Sequence, residues 1–136
     1  MKQMDAEKIK AHLAKDKFVQ GIGVEIVELT TERAVVNTVV KEDHLNANGV
    51  AQGGMIYTIA DYAFAALANF LHPATVTQSG RIQYLRPATC GELTFVATET
   101  ARVGKNCICE VVAKNGTGEI VCVCNFSGFI KEMDIL

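Results

Sequence analysis

The chain has 136 residues, 49% hydrophobic and 21% charged, enough for one core and too few for two ordinary domains, so residues 1–136 are read as a single domain. A net charge of -2 with no Lys/Arg run gives little attraction for phosphate backbones and argues against nucleic acid as a partner. The N-terminal stretch is charged throughout with no apolar segment and cleavage site behind it, and the longest apolar stretch, 55–71, is interrupted by Asp61 and Asn69 and falls short of the roughly 20 residues that span a bilayer, so a cytoplasmic protein with no membrane partner is expected.

Residues 5–17 carry Ile9 and Leu13 on one helical face and Lys8, Lys10, Lys15 and Lys17 largely on the other, which predicts one short amphipathic helix. Two Val/Ile-rich runs follow, 23–29 and 33–40, separated by Thr-Thr-Glu; they read as a hairpin. Asn, Gly and Asp mark 41–52 as the longest loop. A single helix, apolar nearly all round, is expected over 53–71 and is ended by His72-Pro73. Four β-rich stretches complete the chain, 75–85, 91–103, 106–114 and 119–130, and an antiparallel meander is their simplest connection. A helix apolar on every side must be covered on most of them, and a flat sheet covers only one. The expected fold is therefore α+β: a hot-dog fold, with a curved antiparallel sheet wrapped around one long apolar helix.

Five cysteines is an odd number, and free thiols are expected rather than a disulfide framework. Cys107/Cys109 and Cys122/Cys124 flank Asn115-Gly116-Thr117-Gly118. A two-residue turn at Gly116-Thr117 sets Cys109 opposite Cys124 and puts all four thiols on the core face with Val111, Ala113, Ile120 and Phe126. Strand C-x-C lacks the usual spacing of zinc ligands, so these cysteines read as core packing. His12, His44 and His72 are scattered over a helix, a loop and a turn; no metal and no cofactor is expected.

Between His44 and Gly80 the only Asp, Glu, Lys or Arg is Asp61, in the middle of the apolar helix with Tyr57, Thr58, Phe64 and Ala65 as its helical neighbours. A carboxylate held there has a raised pKa unless donors compensate it, which suits a general base or nucleophile. Gly53-Gly54 opens the same helix after a loop containing Asn46 and Gln52. Glycine allows close approach to the backbone, and the first helical N–H groups, at the positive end of the dipole, can stabilise an oxyanion.

The segment HLNANGVAQGGMIYTIADYAFAALANF, followed by RIQYLRPATCGE and ARVGKN, resembles the hot-dog thioesterases of the phenylacetyl-CoA thioesterase (PaaI-like) type, within the superfamily of 4-hydroxybenzoyl-CoA thioesterase. Those show N-x-x-G-x-x-H-G-G, then an Asp seven residues after the second Gly, then Y/F-L-R-P-A. The resemblance covers about residues 30–130. It implies that Asn46 and the Gly53 amide bind the thioester carbonyl oxygen, that Asp61 attacks or activates water, and that Thr77 takes the place of a water-orienting hydroxyl. Where the pattern has His, this chain has Gln52, which can donate a hydrogen bond but cannot transfer a proton; a non-catalytic module that binds acyl-CoA is the alternative reading. The expected substrate is an aromatic or medium-chain acyl-CoA, met by Gln52, Gly54 and Phe64, with Ala60, Leu67 and Met55 along the acyl pocket. Arg86, Lys105 and Asn106, with Arg81 and Arg102 as further cations, are candidates for the coenzyme A phosphates. Gly53 and Asp61 are eight residues apart, about 12 Å along one helix. One helix cannot present both to a single carbon, so a site shared by two antiparallel subunits is expected, in a homodimer or dimer of dimers.

Overall fold

The computed structural model describes residues 5–131. The N-terminal region is two helices, where one over 5–17 is expected from the sequence. Asp5 accepts the Glu7 N–H at 2.9 Å to start α1 (Ala6–Leu13), and Asp16 accepts the Val19 N–H at 3.0 Å to start α2 (Lys17–Ile22). The break arises because Asp16 caps a second start instead of continuing the first helix. Ile9 and Val19, both buried, anchor the pair to the core. Gly23 then turns the chain at φ 100°, a conformation that favours glycine, and the first strand starts two residues later than expected.

β1 (Glu25–Leu29) and β2 (Ala34–Val40) form the expected antiparallel hairpin. After a 3-10 turn at Glu42–His44, α3 (Gly53–Leu71) spans the helix expected from the sequence residue for residue. β3 (Thr75–Tyr84), β4 (Gly91–Val103), β5 (Asn106–Asn115) and β6 (Ile120–Ile130) follow. The six strands make one sheet in the order β1-β2-β4-β5-β6-β3. β4, β5 and β6 meander as expected, but β3 does not join them in sequence: it pairs with β6 at the far edge. The link 85–90 is too engaged to act as a hairpin turn. The Leu85 and Arg86 N–H groups donate to the Val121 carbonyl at 2.8 and 3.1 Å, and the Ala88 carbonyl accepts from the Ala51 N–H at 2.7 Å. That last bond ties the link to the residues just before α3.

The sheet packs around α3, whose Ile59, Ala60, Ala63, Ala66, Leu67 and Ala68 are wholly unexposed. α3 is long and apolar enough to cross a membrane by length and composition alone, and 67% of it is buried inside the protein; it is the core helix. Small alanines let the strands approach closely, and Phe95, Val111 and Phe126 fill the space from the sheet side. Phe64 stacks on Phe126 with ring centroids 5.3 Å apart.

The four paired cysteines are fully buried on the core face, as expected. Their register differs from the expected one: Cys109 lies opposite Phe126, and Cys124 lies opposite Val111. The turn is wider than two residues, closed by Asn115 N–H to the Glu119 carbonyl at 2.9 Å, and an irregularity at Ala113/Lys114 absorbs the slip. Val121 therefore takes the core position, and Ile120, expected inside, is 39% exposed.

Candidate active site

Along the otherwise buried α3, Gly53, Gly54, Tyr57, Thr58, Asp61 and Ala65 form one partly exposed stripe. The spacing of 53, 57, 61 and 65 follows one side of a helix. β3 borders this stripe, and its outer edge has no strand partner among the described residues. Thr77 of β3 donates its hydroxyl to Asp61 Oδ1 at 2.7 Å, so the residue pair singled out by the resemblance is in contact. Burial raises the Asp61 pKa, the Thr77 hydrogen bond opposes it, and the carboxylate of Asp16 raises it further. Asp16, at the start of α2, escapes a sequence reading because nothing local ties it to position 61.

One turn before Asp61, Tyr57 packs its ring 5.4 Å from that of Phe126 and lays its hydroxyl over Gly80. A Cβ on Gly80 would lie 2.1 Å from that oxygen and 2.7 Å from the Phe126 ring. Burial, and then the Asp61 charge, raise the Tyr57 pKa. Tyr57 thus belongs to the Asp61 surroundings by charge, a role that its place in an apolar run does not signal.

The start of α3 is built by two close approaches. Gln52 is the N-cap, its Oε1 accepting the Met55 N–H at 3.0 Å, and a Cβ at Gly54 would lie 2.8 Å from that oxygen. On the other side Tyr84 donates its hydroxyl to the Gly53 carbonyl at 2.7 Å, and a Cβ at Gly53 would lie 3.0 Å from the Tyr84 oxygen. A side chain at either glycine would crowd the protein's own Gln52 or Tyr84 terminus. The helix gives the N–H groups of Gly53 and Gly54 no acceptor within itself, so the first turn remains a donor surface. Tyr84 opens the YLRPA motif, and nothing in the motif itself signals its contact with the Gly53 carbonyl.

Asn46 borders a cleft of about 370 Å³ together with Gly53, Tyr84 and Arg86. Its Oδ1 accepts the N–H groups of Asn48 and Val50 at 2.9 and 3.3 Å, which braces the loop and leaves the amide NH₂ as the group with donor capacity. Arg86 is partly engaged, donating to the Ile120 carbonyl at 2.7 Å and lying 3.7 Å from Glu119. Lys105 and Asn106 sit elsewhere, at the β4–β5 turn. Asn106 pairs with Phe129, and Phe129 with Val76, whereas Tyr84 pairs with Cys122. Seven residues of strand, about 23 Å, separate those two levels of β6. Lys105 and Asn106 are therefore at the Asp61 end of the sheet and Arg86 at the Gly53 end.

Phe64, Ala60 and Leu67, expected along an acyl pocket, are 1%, 0% and 0% exposed. They face the sheet and are filled against it, so within the protomer they are core residues. Met55 does line a surface cleft. His72 Nε2 is hydrogen-bonded to Glu99 Oε2 at 2.6 Å, and His44 Nδ1 accepts the Lys41 N–H at 3.0 Å; neither touches Asp61. Among the described residues no group of three or more His, Cys, Asp or Glu side chains is arranged to hold a metal.

Residues 48–122 match the family described as the thioesterase superfamily. A protein of Archaeoglobus fulgidus, assigned provisionally as an esterase, is 30% identical over 122 residues, covering 88% of this chain and 79% of its own. The acyl-coenzyme A thioesterase PaaI of Escherichia coli is 29% identical over 90 residues, 66% of this chain and 64% of its own length; the structure of the E. coli PaaI protein superposes with a TM-score of 0.91 at 24% identity over 96% of both chains, which compares the fold. A hypothetical thioesterase protein from Streptococcus pneumoniae, solved with coenzyme A, superposes with a TM-score of 0.78 at 26% identity over 82% of this chain and 91% of its own. The chain belongs to the thioesterase superfamily and is a thioester hydrolase of the hot-dog fold.

Proposed function

We propose that the protein hydrolyses aromatic or medium-chain acyl-CoA thioesters at a site completed by a second subunit, with Asp61 as base or nucleophile. The observation that carries this reading is the Asp61–Thr77 contact on the partly exposed stripe of α3, beside the unpaired edge of β3. A ten-residue edge strand with only Thr75 buried is a ready template for pairing with another copy. Antiparallel pairing of β3 with its mate about a two-fold axis brings the start of one α3 toward the middle of the other. The Asn46 amide and the Gly53 N–H of one subunit then face Asp61 and Thr77 of its partner. Lys105 and Asn106 of the Asp61 subunit come to the same end as Arg86 of the other, which gathers cations that stand apart in one protomer. The bound coenzyme A of the S. pneumoniae relative supports coenzyme A as the thiol.

In the reaction Asp61 takes a proton from water, whose oxygen adds to the thioester carbon. The carbonyl becomes an oxyanion held by the Gly53 and Asn46 donors. Collapse breaks the C–S bond, and the departing thiolate takes up the proton. In direct attack Asp61 adds to the carbon itself, and water hydrolyses the resulting anhydride. Gln52 caps the helix through Oε1 and transfers no proton in either route. Colorimetric thiol release from a panel of acyl-CoAs tests the substrate class and the role of Asp61. Release from aromatic or medium-chain acyl-CoAs that Asp61→Asn abolishes supports the reading; release from acetyl-CoA alone, or undiminished release in Asp61→Asn, overturns it.

A further inference from the structure

Two clefts flank the start of α3, one on each side of the Gly53–Gly54 step. The first, with Asn46, Gly53, Tyr84 and Arg86, is described above. The second, of about 480 Å³, is lined by Phe18 and Ile22 of α2, by Leu45 beside the polar Asp43 and His44, and by Gln52, Gly54, Met55 and Thr58 in the first turns of α3. That volume falls within the range of small-molecule pockets, about 300–1,000 Å³. Its walls differ in origin: Met55 and Gly54 lie inside the segment 48–122 matched by the superfamily, while Phe18, Ile22 and Leu45 lie outside it. Phe18 is 72% exposed, a large aromatic face turned to this cleft while its neighbour Val19 does the anchoring.

A thioester carbonyl seated at this step has two substituents, which must leave in different directions. Both clefts mix polar and apolar walls, but the first carries the Arg86 cation and the Asn46 amide, which suit a phosphate-bearing thiol. Among the described residues no Lys or Arg lines the second; its Asp43 carboxylate repels phosphate, and Phe18, Ile22, Leu45 and Met55 give it apolar area. We propose that the α2 cleft receives the acyl group, and that Phe18 is a specificity-determining residue favouring an apolar chain or ring over acetyl. This rests on the thioesterase reading for the position of the carbonyl, and its test does not depend on turnover.

The probes are coenzyme A, S-ethyl-CoA, S-hexyl-CoA and S-phenethyl-CoA, thioethers that cannot be hydrolysed, titrated calorimetrically into the full chain. In the native protein the hexyl and phenethyl ligands bind more tightly than coenzyme A. Phe18→Ala reduces that preference about tenfold (about 1.4 kcal/mol), Phe18→Trp keeps it, and Val103→Ala, an exposed apolar side chain on β4 outside both clefts, leaves it unchanged. An unaltered preference in Phe18→Ala overturns the proposal. So does an equal loss for all four ligands, or a fall in solution mass with the preference intact, which puts Phe18 in a subunit contact. A preference that responds to Phe18 in a protein without turnover overturns the hydrolase reading and leaves the cleft assignment standing.

Discussion

Asn46→Asp and Asp61→Asn, each inactive alone, should restore activity when mixed. Gly53 and Asp61 are eight residues apart on α3, about 12 Å at 1.5 Å per residue, whereas the reacting carbon must lie about 3 to 3.5 Å from its nucleophile. Asn46 shares a cleft with Gly53, so its donor group is remote from Asp61 of the same chain. Asn46→Asp spares the loop: the new side chain keeps an oxygen for the Asn48 and Val50 N–H groups while losing the NH₂ donor and setting a charge against the oxyanion. Loss of one such donor costs about 10²–10³ in kcat, and Asp61→Asn should cost at least about 10². Refolding equal amounts together gives about half heterodimers when subunits mix randomly. Each heterodimer has one site with both functional partners and one with neither, so roughly a quarter of native thiol release returns. The assay is acyl-CoA hydrolysis by the mixture, with native mass spectrometry to count heterodimers. Abundant heterodimers in a mixture that stays at the level of the parents would falsify the shared site.

Three further outcomes follow from the local geometry. Burial raises the folded-state pKa of Asp61 above its unfolded value, so its ionisation subtracts stability as pH rises through that raised value; Asp61→Asn should melt higher than the native protein at neutral pH, with the gap closing below about pH 4, where the carboxyl is protonated in both states. Equal or lower Tm at neutral pH would contradict this. Thr77→Val removes the donor that favours the charged carboxylate, and the acidic limb of the pH–rate profile should move to higher pH; a uniform drop without displacement would give Thr77 a different role. Gly80→Ala drives a methyl into the Tyr57 hydroxyl and the Phe126 ring and should cost about 1–3 kcal/mol of stability, less in a Tyr57→Ala background. Chemical denaturation of the four proteins checks it, and additive losses would exclude the clash.

What could be read from the residues tracks how local the deciding force is. α3 was legible to its ends because its apolar run is long, begins with Gly53-Gly54 and stops at His72-Pro73. The same uniformity hides which side of it faces the sheet, and Phe64, expected against substrate, stacks on Phe126. The division at Asp16 was missed because an Asp between two lysines reads as surface charge until its backbone leaves the helix. The edge position of β3 depends on a link that hydrogen-bonds to Val121 and Ala51, partners far away in sequence. The Cys109 register failed on an irregularity at Ala113/Lys114, which the Asn-Gly-Thr-Gly turn does not announce. Of the site, Asp61 stood out from its isolation in apolar sequence, whereas Thr77 came only with the family resemblance.

The distribution of thiols determines how the protein behaves toward the reagent that would measure its own reaction. Cys90 is exposed, and Cys107, Cys109, Cys122 and Cys124 are buried. Burial, with Cys107 and Glu99 beside it, pushes the Cys109 thiol up to about 12, far from the thiolate form that attacks an aromatic disulfide. A colour reaction that counts released coenzyme A therefore also counts a stoichiometric contribution from Cys90, and a Cys90→Ser chain removes that background. With it gone, any slow colour from the protein alone reports the sheet opening away from α3. The four silent sulfurs become a clock for local unfolding, read in the same cuvette as catalysis.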